Sequence, residues 1–302
     1  MVIAVTGATG FLGQTLLDRA RTDGVEVQAL ARSPQAERPG VTWFAGDLAN
    51  RKALNRLCRG AEAVIHVAGV VNTPDLAEFE AGNVIGTMNV IEQALATGVP
   101  RLIFVSSLAA REPGLSAYGA SKARAERLVM ASGLDWTIVR PPTIYGPRDV
   151  DLFELFRAAK WGVVPVPRGG RQSVIHADDL ARLLLALVPG GEAVTFQTFE
   201  PDDGRNDGWR HSELARAIGW VQGRRPYVLR LKPRWLRLAA RIDTALRGSK
   251  ARLTPDRVGY MTHPDWVVSL AARVPSALWR PQIPTLAGLK TTAQWYRAQG
   301  WL

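Results

Sequence analysis

The amino-acid sequence predicts an α/β protein, doubly wound about a parallel sheet, with a smaller, mainly α region toward the carboxyl end. Three observations carry this. Short β-rich runs, Val2 to Val5, Val25 to Ala31, Val41 to Ala45, Ala63 to Val67 and Leu102 to Val105, alternate with helical stretches, the pattern of parallel βαβ units. The first run stops at Thr6-Gly7 and leads through a glycine-rich turn into the helical spacing Leu12, Leu16, Leu17. The chain has 302 residues, 47% of them hydrophobic, which is enough to bury a sizeable core and excludes a disordered tail or a staple-dependent scaffold.

Charge and cysteine usage narrow the function classes. Thirty-eight basic against 27 acidic residues give a net charge of +11, which suits an anionic partner without choosing among phosphate, nucleic acid and membrane surface. The one cysteine, Cys58, excludes an internal disulfide framework and a cysteine-built zinc site, and agrees with a reducing, cytoplasmic setting. His66, His176, His211 and His263 lack ligand spacing, so no metal is expected. No apolar run approaches the roughly 18 residues of a spanning helix, and the start lacks the charged region of a signal peptide.

The turn Gly7-Ala-Thr-Gly-Phe-Leu-Gly13 lies between a strand and a helix, where glycines serve distinct needs. Gly7, Gly10 and Gly13 suit a tight turn, close approach to a pyrophosphate and helix–strand packing, with the anion at the helix N-terminus. Thr9, Phe11 and Leu12 belong to the same expected cofactor-binding turn. The second strand ends at Arg32, where an NAD site usually offers an acid to the ribose hydroxyls; a guanidinium instead suits a 2′-phosphate, so NADP is favoured over NAD. Asp47, followed by Leu48, is expected to accept from the adenine amino group, with helix capping as the alternative. Small Ala68 and Gly69 would let the backbone approach the cofactor.

The stretch Asn83-Val-Ile-Gly-Thr-Met-Asn-Val is read as helix, with Val84, Ile85, Met88, Ile91 and Leu95 as its core positions. Ser107 follows the fifth strand, and the next helix carries Tyr118 and Lys122, four apart on one face. A phenol with a pKa near 10 is a poor base at neutral pH, and an adjacent ammonium favours its phenolate. Lys122 would therefore tune Tyr118, while the Ser107 hydroxyl holds the reacting oxygen.

Together with these residues, Val139-Arg-Pro-Pro-Thr-Ile-Tyr-Gly-Pro-Arg-Asp149, Ser173-Val-Ile-His-Ala-Asp-Asp-Leu180 and the last segment Ala293 to Leu302 make the chain resemble the extended short-chain dehydrogenase/reductase family, over nearly its whole length. The resemblance implies an NAD(P)-binding Rossmann fold and a segment after Pro141 that passes near nicotinamide and substrate. Many sugar-nucleotide members carry asparagine where this chain has Thr143, and arginine where it has Gln172, with Arg171 one position earlier; a one-residue shift on a strand reverses a side chain. The gap of eleven residues between Ser107 and Tyr118 is also shorter than in many extended members. Thr143, Arg171 and Gln172 are the candidate substrate contacts. His176 is read as structural, and Asp178-Asp179 as capping the following helix.

Composition shifts near Arg205. Seven of the ten tryptophans fall in 209–302, and 224–257 holds eleven Lys or Arg against Asp243 and Asp256. Arg234, Arg237 and Arg241 repeat at helical spacing beside Trp235, Leu236, Leu238 and Ile242, a basic amphipathic helix. A solvated face is the favoured reading, ahead of a lid or of membrane-surface contact through 234–247; nucleic acid is not expected. The expected organisation is a dinucleotide domain at 1–145 and a substrate region at 146–302, partly interleaved with the sheet. The leading expectation is an NADP-favouring oxidoreductase acting on a carbonyl or secondary alcohol of a small molecule. A nucleotide-sugar epimerase or dehydratase is the alternative, and a noncatalytic dinucleotide-binding assembly protein the second. A homodimer fits either enzyme.

Overall fold

The computed structural model describes residues 1–302, which form two compact units: 1–140 with 181–199, and 141–180 with 200–302. The first unit is built on seven strands: β1 (Val2–Thr6), β2 (Glu26–Ala31), β3 (Val41–Ala45), β4 (Ala63–His66), β5 (Arg101–Val105), β6 (Asp135–Val139) and β7 (Gln197–Phe199). Their order is β7-β6-β5-β4-β1-β2-β3, and every neighbouring pair is parallel. The order reverses between β1 and β4, the switch point outside whose carboxyl ends such sheets bind ligands.

Local chemistry explains the helices. Helix α1 (Phe11–Thr22) begins at Gly10 and ends with Arg19 and Arg21 against the negative end of its dipole. Helix α2 (Arg51–Cys58) is capped by Asn50, whose side chain accepts from Ala53 N at 3.0 Å. Helix α3 (Gly86–Ala96) follows a π-helical turn at Glu80–Ile85, and α4 (Ala117–Met130) is capped by Ser116, which accepts from Gly119 N at 2.9 Å. A buried cluster including Leu54, Leu57, Cys58, Val64, Val90, Leu102, Phe104 and Ile138 packs against the sheet. Burial pushes the Cys58 thiol up to about 12, so it is an unreactive core residue.

The apolar pattern of α3 is a correction to the sequence reading. Ile91 is buried, but Ile85, Met88 and Leu95 are exposed, and the buried side is made of Asn83, Gly86, Thr87, Asn89, Val90, Ile91 and Ala94. Small and hydrogen-bonded residues win the inner side because the helix lies close to its neighbours: a Cβ at Gly86 would stand 2.7 Å from Leu48 Cδ1.

In the second unit, short strands pair in parallel at Thr143–Tyr145 with Val174–His176 and at Val163–Pro167 with Tyr227–Leu231. Arg171–Gln172 runs between Trp209–Arg210, antiparallel, and Asp265–Trp266, parallel. The helices of eight residues or more are α5 (Phe153–Lys160), α6 (Ala177–Ala186, continuing into the first unit), α7 (His211–Trp220), α8 (Pro233–Arg247) and α9 (Thr285–Ala298), beside a shorter one at Pro255–Met261. Tyr145, Phe156, Leu214, Ile218, Leu289 and Tyr296 form the core, and Trp301 stacks on Tyr296 at 5.7 Å between ring centres.

Both aspartates lie in the first turn of α6, and Asp179 does more than the capping expected of the pair. Asp179 is buried and accepts from Gln282 N and Ile283 N, both at 3.0 Å, so it ties down a distant loop. His176 Nδ1 instead accepts from Asp178 N at 3.2 Å, which makes the histidine a local backbone acceptor at the start of α6. No helix is long and apolar enough to cross a membrane.

Candidate active site

The glycine turn joins β1 to α1. Gly7 has φ +74°, and a Cβ there would lie 2.6 Å from Ala68 N, so conformation and space both demand glycine. Gly10 N donates to Gly7 O at 3.0 Å, and a Cβ on Gly13 would come to 2.0 Å from that same oxygen. Thr9 and Gly10 are exposed, Phe11 is half-buried, and Leu12 is buried against the fold. The turn leaves exposed backbone at a helix N-terminus, the chemistry that receives a pyrophosphate.

Around it stand the other strand ends. Arg32, the first residue after β2, is exposed with no hydrogen-bond or ion-pair partner, whereas Arg38 is tied to Gln14 Oε1 at 2.8 Å and Asp18 Oδ1 at 2.7 Å. Asp47 Oδ1 accepts from Ala49 N and Asn50 N, both at 3.0 Å, ordering the turn into α2 through one carboxylate oxygen. Leu48 O accepts from Asn89 Nδ2 at 2.8 Å. After β4, a Cβ on Gly69 would meet Asn83 Oδ1 at 2.9 Å and lie 3.7 Å from Lys122 Nζ, so Gly69 leaves room that a side chain would take, beside the half-buried Ala68.

Ser107 and the Lys122 ammonium lie at the carboxyl end of β5, and Tyr118 stands one turn before Lys122 on α4. Ser107 Oγ accepts from Ala109 N at 3.1 Å, leaving its proton to donate elsewhere. Lys122 is buried; its Nζ donates to Val105 O at 2.8 Å and lies 4.4 Å from the Phe104 ring centre. Tyr118 is largely buried, its ring 6.0 Å from that of Phe79. Gly119 permits the approach, since a Cβ there would lie 2.6 Å from Ala109 O. Burial pulls the Lys122 ammonium down to about 8, against the opposing charge of Glu126. The cation therefore persists at neutral pH and is lost above about 8.

Four supporting residues, Asn83, Ser121, His66 and Thr87, were not singled out from the sequence. Asn83, fully buried in the π-helical turn, accepts from Val70 N at 2.7 Å and donates to Val70 O and Ser121 Oγ, both at 2.9 Å. Ser121 Oγ donates in turn to Tyr118 O at 2.7 Å. His66, also fully buried, lies between Thr6 Oγ1 at 2.6 Å and Thr87 Oγ1 at 3.0 Å. Thr87 donates to Asn83 O at 2.6 Å, so its oxygen accepts from His66 Nε2–H, and His66 Nδ1 accepts from Thr6. The available signal was Asn83 and Thr87 four apart, in phase with the buried side of a helix.

The remaining candidates belong to the second unit. Pro141 is buried, and Thr143 Oγ1 donates to Gln172 Oε1 at 3.1 Å. Arg171 is exposed and paired with Asp265 at 2.8 Å, so it and Gln172 have different partners.

A family model described as NAD(P)H-binding matches residues 7–188. A ceramide reductase of Caulobacter vibrioides is 38% identical over an alignment of 313 positions that covers 100% of this chain and 96% of the relative. A 2-alkyl-3-oxoalkanoate reductase of Stenotrophomonas maltophilia is 34% identical, covering 67% of this chain and 72% of its own. Among solved structures, MoeE5 in complex with UDP-glucose and NAD superposes with a TM-score of 0.77 at 23% identity, covering 99% of both chains, a likeness of fold. The chain belongs to the NAD(P)H-binding, extended short-chain dehydrogenase/reductase family, and is an NAD(P)-dependent enzyme of the oxidoreductase and epimerase kind.

Proposed function

We propose that the protein is an NADPH-dependent reductase of a ketone on a long-chain N-acylated amino lipid of the ceramide kind, producing the secondary alcohol. The observation that carries this reading is the end-to-end match to a ceramide reductase, and the Lys122 ammonium on Val105 O at the end of β5, beside Ser107 in sequence, supports it. The exposed, partnerless Arg32 supports NADPH over NADH. The glycine turn fits a dinucleotide because Thr9 and Gly10 are exposed at the N-terminus of α1, where backbone N–H groups receive a pyrophosphate. When bound, the reduced nicotinamide supplies the hydride. Ser107 donates to the substrate oxygen and orients it, Tyr118 delivers the proton to that oxygen, and Lys122 holds positive charge beside the phenol. Residues 146–302 are assigned to substrate recognition together with Thr143, which precedes them; Thr143 and Gln172 serve as polar contacts, with Arg171 at the margin.

A homodimer is part of the proposal, supported by the exposed Ile85 at the end of the π-helical turn and Met88 and Leu95 on α3. The site is assigned to the cytoplasm, where NADPH is available. The decisive experiment follows loss of reduced-nicotinamide absorbance with a detergent-dispersed long-chain N-acyl amino ketone and identifies the alcohol by mass. Turnover with NADPH is the expected result; stoichiometric NAD released on denaturation, with no ketone reduction, would instead support sugar-nucleotide epimerisation.

A further inference from the structure

Helix α8 has two different sides. Leu236 and Ala240 are buried in a small cluster with Val258, Leu231, Leu253 and Met261. The opposite side is apolar yet open to solvent: Trp235 is 51% exposed, Leu238 46%, Ile242 51% and Leu246 81%. At about 100° per residue these four fall within an arc of about 80°, and Arg234, Arg237 and Arg241 occupy the arc next to it. All three arginines are exposed, and none forms an ion pair or hydrogen bond within the chain. Asp243, the helix's one carboxylate, is engaged by Arg247 and by the backbone N–H groups of Arg252 and Leu253. The strand leading into the helix adds exposed Tyr227 and Leu229.

We infer that α8 docks the protein on an anionic lipid bilayer, with Trp235, Leu238, Ile242 and Leu246 entering the headgroup and acyl boundary and Arg234, Arg237 and Arg241 meeting lipid phosphates. Charge complementarity selects this occupant. A second copy seated on the same face would bring two unneutralised arginine rows together, and a nucleic-acid backbone would leave the apolar arc uncovered. The inference deepens the proposed function, because a long-chain lipid ketone resides in a bilayer. Vesicle binding is scored without substrate, and ketone reduction in detergent, so either can fail alone.

The test is sedimentation of the full chain with vesicles of phosphatidylcholine containing roughly one-third phosphatidylglycerol, beside phosphatidylcholine alone. Binding to the anionic vesicles only, weakened by salt, is expected. Arg237→Gln with Arg241→Gln should weaken it about twenty-fivefold, near fivefold per arginine. Ile242→Ser with Leu246→Ser should weaken it without altering the thermal midpoint, since neither side chain is buried. On anionic vesicles the tryptophan emission should shift to the blue, and Trp235→Phe should remove most of that shift while keeping binding. The inference is overturned if the wild-type chain does not sediment at low salt, if both double variants bind as it does, or if light scattering shows a dimer that those substitutions dissolve.

Discussion

The buried polar residues near Lys122 and the exposed arginines of α8 show opposite uses of polar chemistry. In the first unit, His66, Asn83 and Lys122 are almost wholly removed from solvent, and each makes hydrogen bonds to named partners. In the second, Arg234, Arg237 and Arg241 are exposed without hydrogen-bond or ion-pair partners, beside apolar side chains that are also uncovered. Buried polar groups that are satisfied fix atoms in place, because any displacement leaves a bond unmade at a cost of about 1–3 kcal/mol. Unpaired charge next to exposed apolar surface fixes nothing within the chain; its free energy is gained only with something outside it.

The sharpest way to break this contrast is at Tyr118. Tyr118→Phe keeps the ring against Phe79 and removes the proton donor, so ketone reduction should fall about 10²- to 10⁴-fold with NADPH binding unchanged by fluorescence titration. A variant that turns over normally removes Tyr118 from the chemistry. Next comes Asn83→Ala, which strips partners from Val70 N–H, Val70 C=O and Ser121 in a site too buried for easy rescue by water. It should lower stability by about 3 kcal/mol in urea unfolding, with turnover lowered as well. The equivalent truncation on the open side of α8, Arg237→Ala, should change unfolding by less than about 0.5 kcal/mol.

Arg32 tests a charge of the second kind that stands in the first unit. Arg32→Ala should lower the preference for NADPH over NADH by about tenfold to a hundredfold, the worth of charge-assisted hydrogen bonds to a 2′-phosphate, while leaving the melting temperature unchanged. Unchanged cofactor preference in steady-state kinetics would assign the 2′-phosphate to another residue.

How legible these features were depended on how local their physics is. The glycine turn and the Tyr118–Lys122 spacing are short-range: a positive φ, a Cβ that will not fit and a four-residue helical repeat can each be read from a few adjacent letters. Asn83 was lost because its partners, Val70 and Ser121, are 13 and 38 residues away, and because the apolar letters around it suggested an ordinary core helix. The same letters misled on Ile85, Met88 and Leu95, since periodicity reveals an apolar stripe but not what covers it. Asp179 was read as a cap for the same reason: its true partners, Gln282 and Ile283, lie over a hundred residues on.

A modest further effect is expected as a pH dependence at His66. Burial, reinforced by the Lys122 charge, pulls its folded-state pKa from 6.5 down to about 3. Between those values the unfolded chain binds a proton that the folded chain refuses, so stability falls as pH drops through 6.5 and keeps falling toward 3. At pH 5.5 the loss relative to pH 7 should be about 1 kcal/mol from this group. His66→Gln would retain polar atoms near Thr6 and Thr87 but not the titration, so its unfolding free energy should start lower at pH 7 and decline less on acidification. Parallel declines for both proteins would show that other groups dominate the acid response. A flatter variant would show that the neutral imidazole, held between two threonine hydroxyls, joins β1 to the helix that carries Asn83.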